Sequence, residues 1–110
     1  MPKLIMTRGL PASGKSTWAK NLLKQHGPNS WKTICKDDLR AMLDDNVWSK
    51  GNEKFVIQVR NNIIKEALLD GKNVISADTN LSEKHEAQLR QIAKDCSAEF
   101  QVKFFDVLPE

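Results

Sequence analysis

Gly9-Leu10-Pro11-Ala12-Ser13-Gly14-Lys15-Ser16 is a complete G-x-x-x-x-G-K-[ST] segment, set between the apolar run Lys3-Leu4-Ile5-Met6-Thr7 and a helical stretch from Lys15 to about His26. That order decides the fold. The glycines at 9 and 14 let the backbone curl so that the loop of Pro11, Ala12 and Ser13 wraps phosphate oxygens, its N–H groups coming from the residues other than proline. The helix that follows adds the partial positive charge of its N-terminus. Lys15 is then placed to reach the β- and γ-phosphates of ATP, and the Ser16 hydroxyl to meet the Mg²⁺ that travels with it.

Outward from this segment, strand and helix patterns alternate. Gly27-Pro28-Asn29-Ser30 stops the first helix, and Trp31 to Cys35 is a short β-branched strand candidate. Lys36 to about Asp45 reads as a short helix, followed by a loop from Asn46 to Gly51 that carries Trp48. From Asn52 to Asp70, Val56, Val59, Ile63 and Ala67, flanked by Ile64 and Leu68, keep helical spacing up to a terminating Gly71. Lys72 to Asp78 reads as a third strand. Ser82 is a candidate N-cap for a helix to about Asp95, on which His85, Leu89, Ile92, Ala93 and Cys96 share a face. Ala98 to Val107 is the fourth strand candidate.

Strands separated by helices imply parallel βαβ units with right-handed crossovers. The expectation is a three-layer α/β/α P-loop NTPase fold with a short, mainly parallel sheet of about four strands. In such a sheet, ligands bind at the carboxyl ends of the strands.

Charged clusters fall where that rule puts chemistry. In Asp37-Asp38-Leu39-Arg40, a carboxylate just beyond the second strand can accept the proton of an attacking hydroxyl, and Asp37 is the stronger candidate. Helix capping is the competing role for either aspartate. Arg40, one turn later, offers its planar fork to an acceptor phosphate. Asp78 ends the third strand as a Walker-B-type acid that can hold Mg²⁺ through water or fix a neighbouring arginine, with an Asx-turn as the alternative. No N-K-x-D tetrad accompanies the loop, which argues against a GTPase. His26, His85, Trp18 and Trp31 read as structural. Trp48, beside Lys50 and Lys54, has the chemistry to stack a nucleobase.

Composition narrows the setting. A chain of 110 residues, 40% hydrophobic and 28% charged, fits one globular domain over 1–110. No apolar run approaches a membrane span, and Met1-Pro2-Lys3 leads directly into a strand, so a cytoplasmic location without membrane contact is expected. Cys35 and Cys96 show no metal or redox spacing and read as reduced thiols. The mild net charge of +3 permits a phosphorylated or nucleic-acid partner without demanding one. A short sheet with open edges makes self-association an expectation.

Together these segments resemble the 5′-hydroxyl kinase domain of the phage polynucleotide kinases. The resemblance rests on Gly9 to Ala19, on Asp37-Asp38-Leu39-Arg40 as the family's D-D-x-R, on Asp78-Thr79-Asn80-Leu81 as its D-T-N-L, and on Phe105-Asp106-Val107 before the lid. It implies that Thr17 lies near the α-phosphate, that Asp37 is the general base for a 5′-hydroxyl, and that Arg40 positions the acceptor phosphate, braced by Asp78. The acceptor would be the 5′-OH end of DNA or RNA, in nucleic-acid end repair, in the host cytoplasm if the gene is a phage's. Ala12 stands where that family commonly has glycine. The family also continues beyond the position of Glu110 into a helical lid with an arginine for the transferring phosphoryl group, so a domain lacking its lid is the expectation here. A kinase of a small metabolite and a non-catalytic ATP-binding module remain the competing readings.

Overall fold

Leu4, Ile5 and Met6 alternate between two apolar layers, which is the reason they form a central strand rather than an edge. The computed structural model describes residues 1–9, 15–27, 29–78 and 83–105, with the side chains of residues 15 and 16 excepted. Its elements in chain order are β1 (Lys3–Gly9), α1 (Lys15–His26), β2 (Trp31–Ile34), α2 (Lys36–Asp44), α3 (Lys50–Leu69), β3 (Asn73–Ser76), α4 (Glu83–Asp95) and β4 (Glu99–Phe105).

The four strands form one sheet in the order β2-β3-β1-β4, and every neighbouring pair is parallel. Leu4, Met6 and Val74 face Ile64 and Leu68 of α3 and Leu89, Ile92 and Ala93 of α4. Ile5, Ile75 and Ala77 face Ala19, Trp18 and Leu22 of α1 on the opposite side. Helices therefore cover both faces, and the α/β P-loop architecture with a parallel four-stranded sheet is as expected.

Helix ends follow local chemistry. Gly71, at φ 79°, lets the chain leave α3 in the left-handed region. Its N–H bonds the Leu68 carbonyl at 3.0 Å and the Lys72 N–H bonds that of Ala67 at 2.9 Å, the two bonds of a Schellman motif. At the other end, α3 begins two residues earlier than the apolar spacing predicts. Ser49 is the reason: its hydroxyl accepts from the Asn52 N–H at 3.0 Å, making it the N-cap. Between α2 and α3 the chain turns through two successive left-handed residues, Asp45 (φ 50°) and Asn46 (φ 61°), residue types that tolerate this conformation.

The buried row of α3 also differs from the predicted one. Val56, Arg60, Ile64 and Leu68 are its buried residues, whereas Ile63 is 40% exposed. An i, i+4 row directed at the sheet passes through position 60, so an arginine occupies a buried place in it. The candidate N-cap Ser82 and the predicted strand residues Asp106 and Val107 lie outside the described residues.

Candidate active site

Register brings the chemistry to one edge. Met6 and Ile34 are each paired with Ser76, so Thr7 to Gly9, Cys35-Lys36 and Ala77-Asp78 all emerge at the carboxyl end of the sheet. There Gly9 closes β1 and Lys15, Ser16 and Thr17 open α1. Pro11, Ala12, Ser13 and Gly14 lie outside the described residues. The first turn of α1 carries no acidic side chain while Lys24 and His26 sit in its last turn, an arrangement that leaves the N-terminal field open to an anion.

Thr7 ties β1 to the end of β3. Its buried hydroxyl donates to the Asp78 carbonyl at 2.8 Å and lies 3.1 Å from that of Ser76. Asp78 itself is buried, and its Oδ1 accepts the Lys36 N–H at 2.7 Å. The bond makes Asp78 a cap for α2 supplied from another strand. Cys35, the N-cap by sequence position, makes no side-chain cap bond, and Asp37 and Asp38 lie in the first turn rather than at the cap. Helix capping is therefore not the role of either aspartate. The other Asp78 oxygen, Oδ2, lies 3.9 Å from Nη1 of the fully buried Arg60. Burial raises the Asp78 carboxyl above the usual range, opposed by the Lys36 N–H and by the charges of Lys36 and Arg60.

Arg40 is fixed by a different acid from the one expected. Its Nε and Nη2 donate to Glu53 Oε2 and Oε1 at 2.7 and 2.6 Å, and its Nη1 donates to Asp37 Oδ1 at 2.5 Å. Asp78 acts on Arg40 as a more distant charge. The arginine that Asp78 fixes is Arg60. The physical reason lies in the α2–α3 turn, which carries the first turns of α3 back alongside α2 and so sets Glu53 against Arg40.

Asp37 remains 84% exposed with its carboxylate steered by Arg40. Asp37, Arg40 and Asp78 are thus brought to one edge together with the N-terminus of α1. The described residues suit a magnesium–nucleoside triphosphate: an anion-receptive helix start, an exposed Thr17 within it, and an acid at the end of the adjacent strand.

Four contributors carry no motif signal. Glu53 and Arg60 are identified only by their partners. Lys36 follows β2 and its amine is held below the usual range, first by burial and then by the charges of Arg60 and Arg40. His85, expected to be structural, has its Nδ1 3.4 Å from Arg60 Nη1. Burial, with the charges of Lys36 and Arg60, pushes its pKa down to about 4. A lone arginine standing in the i, i+4 row of Val56, Ile64 and Leu68 is the one sequence signal that could have pointed to Arg60.

A family model described as an AAA domain, AAA_33, matches residues 4–110. The chain belongs to this AAA domain family. Among proteins similar to this family member is an L-seryl-tRNA(Sec) kinase of Methanococcus maripaludis, 34% identical over 99 residues, which cover 88% of this chain and 38% of that one. Chains in two structures of a Pnkp1/Rnl/Hen1 complex, one described as an RNA repair complex, match at TM-scores of 0.84 and 0.77 with 28% and 29% identity. Each match covers 97% of this chain, but 36% and 34% of those chains. The APS kinase CysC of Mycobacterium tuberculosis matches at a TM-score of 0.78 and 21% identity, covering 96% of this chain and 76% of that one, a likeness of fold. This AAA domain thus spans little more than a third of the curated relative it matches. Among the described residues, no helix is long and apolar enough to cross a membrane.

Proposed function

We propose that this chain is the nucleotide-binding and acceptor-activating part of an ATP-dependent kinase that transfers the γ-phosphoryl group of ATP to the 5′-hydroxyl of DNA or RNA. The observation that carries the reading is the Asp37–Arg40 pair, joined at 2.5 Å on the helix that leaves β2 at the phosphate-loop edge. Asp37, exposed at the site, takes the proton of the acceptor hydroxyl as the oxygen attacks. Arg40 uses three of its five N–H donors on Glu53 and Asp37, and two remain to grip a phosphate of the acceptor.

Lys15, Ser16 and the loop from Gly9 through Pro11, Ala12, Ser13 and Gly14 to Thr17 are the residues that would hold the nucleotide, with Ser16 toward its Mg²⁺. Bound Mg-ATP supplies the phosphoryl group and neutralises its charge. The protein contributes position: Asp37 and Arg40 sit on one rigid helix, and positioning with charge neutralisation is most of phosphoryl-transfer catalysis. Asp78 acts behind them, capping that helix and holding Arg60.

An RNA-linked acceptor is supported by the relatives, one acting on L-seryl-tRNA(Sec) and others resident in an RNA repair complex. The 34% identity to the seryl-tRNA kinase favours a second reading, in which the attacking hydroxyl belongs to an aminoacyl group on tRNA. Labelled ATP is incubated with a 5′-hydroxyl oligonucleotide or with seryl-tRNA, using this chain and a form extended to the length of its relatives. Label on the oligonucleotide 5′ end is expected. Label on seryl-tRNA alone selects the second reading, and nucleotide-induced thermal stabilisation with transfer to neither reduces the protein to an ATP-binding module.

A further inference from the structure

A groove of about 470 Å³ runs between the start of α3 and the start of α4, beside the Arg40–Glu53 pair. Trp48, Lys50, Lys54 and Ile57 line one side, and Lys84 and His85 the other. Three lysines converge on it from two helices that are far apart in sequence. Among its described lining residues the single acid, Glu53, is already held by Arg40 through two hydrogen bonds. The groove therefore presents net positive charge, and its lip is an indole that is 69% exposed.

The backbone on either side of that indole is held in place. The Val47 N–H bonds the Asp44 carbonyl at 2.9 Å, the Val47 carbonyl accepts from Asn52 Nδ2 at 2.9 Å, and Ser49 caps α3 on the other side. A large aromatic on a pinned loop presents its face at little cost in conformational entropy. Lysine is depleted at protein–protein interfaces, whereas an aromatic face within a basic groove is the recurring means of holding unpaired nucleotides.

We propose that this groove is the track for the single-stranded end of a polynucleotide acceptor, with Trp48 stacking a base and Lys50, Lys54 and Lys84 taking successive backbone phosphates. The inference rests on the polynucleotide reading above and names where its acceptor runs. The groove is continuous with the acceptor end of the site because Glu53 lines it with one face and holds Arg40 with the other. A strand whose first internucleotide phosphate meets Arg40 would continue into the groove lined by Lys50 and Trp48. His85, kept neutral near pH 7 by its burial, adds no charge of its own to the groove.

The test is binding in the absence of nucleotide, so that it does not depend on turnover. A 5′-hydroxyl oligonucleotide labelled at its 3′ end, as DNA and as RNA, is titrated with the chain by fluorescence anisotropy across a range of salt. Trp48→Ala is expected to weaken binding about 10-fold or more, as loss of one stacked base does, and Trp48→Phe to restore most of it. The triple change of Lys50, Lys54 and Lys84 to Ala is expected to flatten the plot of log affinity against log salt by about 2, at ~0.7 per phosphate contact on a single strand. Circular dichroism confirms that the variants are folded.

Affinity unchanged in Trp48→Ala, or a salt slope unchanged in the triple variant, overturns the proposal, as does equally tight binding of blunt duplex through the same residues. Trp48-dependent binding without phosphoryl transfer leaves the groove standing and removes the kinase reading. Transfer to the oligonucleotide with binding insensitive to these changes does the reverse.

Discussion

Glu53 holds the Arg40 guanidinium in a two-bond fork, Nε to Oε2 at 2.7 Å and Nη2 to Oε1 at 2.6 Å. The hydrogen bonds from Arg40 keep the Glu53 carboxyl below the usual range. An arginine held in this way cannot swing, so its two remaining donors point in a fixed direction. If that direction serves the acceptor, Glu53→Ala should lower kcat/KM for a 5′-hydroxyl oligonucleotide by about 10- to 100-fold, the worth of charge-assisted hydrogen bonds of ~1.5–3 kcal/mol. Glu53→Gln should recover part of it, and thermal stabilisation by Mg-ATP should be unchanged in both. Wild-type kinetics in Glu53→Ala would show that the fork is only structural.

The Asp37 carboxylate accepts from Arg40, and it is exposed where a substrate hydroxyl can approach. Asp37→Asn keeps an oxygen for Arg40 but cannot take a proton at neutral pH. Single-turnover measurements should show kcat reduced by about 10²- to 10⁴-fold, the usual share of a general base. Nucleotide affinity should stay as in the wild type, since the change lies on the acceptor side.

Lys15 is the residue most exposed to a clean test of the nucleotide site. Mg-ATP at about 100 times its Kd should stabilise the wild type by ~2.7 kcal/mol. Lys15→Ala should lose most of the corresponding rise in Tm. Stabilisation that survives the substitution would remove Lys15 from the phosphate ligands.

Arg60 and Asp78 form a buried pair at 3.9 Å, and Asp78 also caps α2 through the Lys36 N–H. Removing the arginine takes away one of the two cations, Lys36 and Arg60, that offset the burial of the Asp78 carboxylate. Arg60→Met should therefore destabilise the fold by about 3–5 kcal/mol in urea unfolding, and Arg60→Met combined with Asp78→Asn should cost less than the sum. Strict additivity would mean that the two residues do not sense each other.

His85 links stability to pH. Its pKa is about 4 in the fold against an ordinary 6.5, so between those values the unfolded chain binds a proton that the folded chain refuses. Stability from this group is complete above about pH 6.5 and is lost as pH falls toward 4. The raised pKa of Asp78 acts in the opposite sense, because the folded chain then binds the extra proton. Comparing His85→Gln with the wild type cancels that second contribution. The variant should show a shallower fall in Tm between pH 7 and pH 5, and parallel curves would exclude His85 as the source.

Much of the fold was legible because it rests on local signals. The glycine-lysine loop, the β-branched runs and Gly71 each act within a few residues, and together they gave the helix and strand order. The candidate site was legible where a residue's neighbours in sequence carry its role. Asp37 and Arg40 stand three apart on one helix and do meet, as their spacing suggests. Asp78 was identified at the end of its strand, but its partner was misassigned to Arg40. Nothing in the sequence near Asp78 says that Arg60, on another helix, is the arginine that reaches it.

The amino-acid order by itself determined that a phosphate loop joins a strand to a helix, that parallel crossovers follow, and that acids lie at the strand ends, since each depends on backbone preferences and periodicity within one segment. Tertiary structure decided which charges pair. Glu53 with Arg40 and Arg60 with Asp78 are separated by 13 and 18 residues of chain. They meet because the Asp45–Asn46 turn and the sheet register carry their helices together. Once buried there, each charge must find an opposite one, and only the packed helices determine which is within reach.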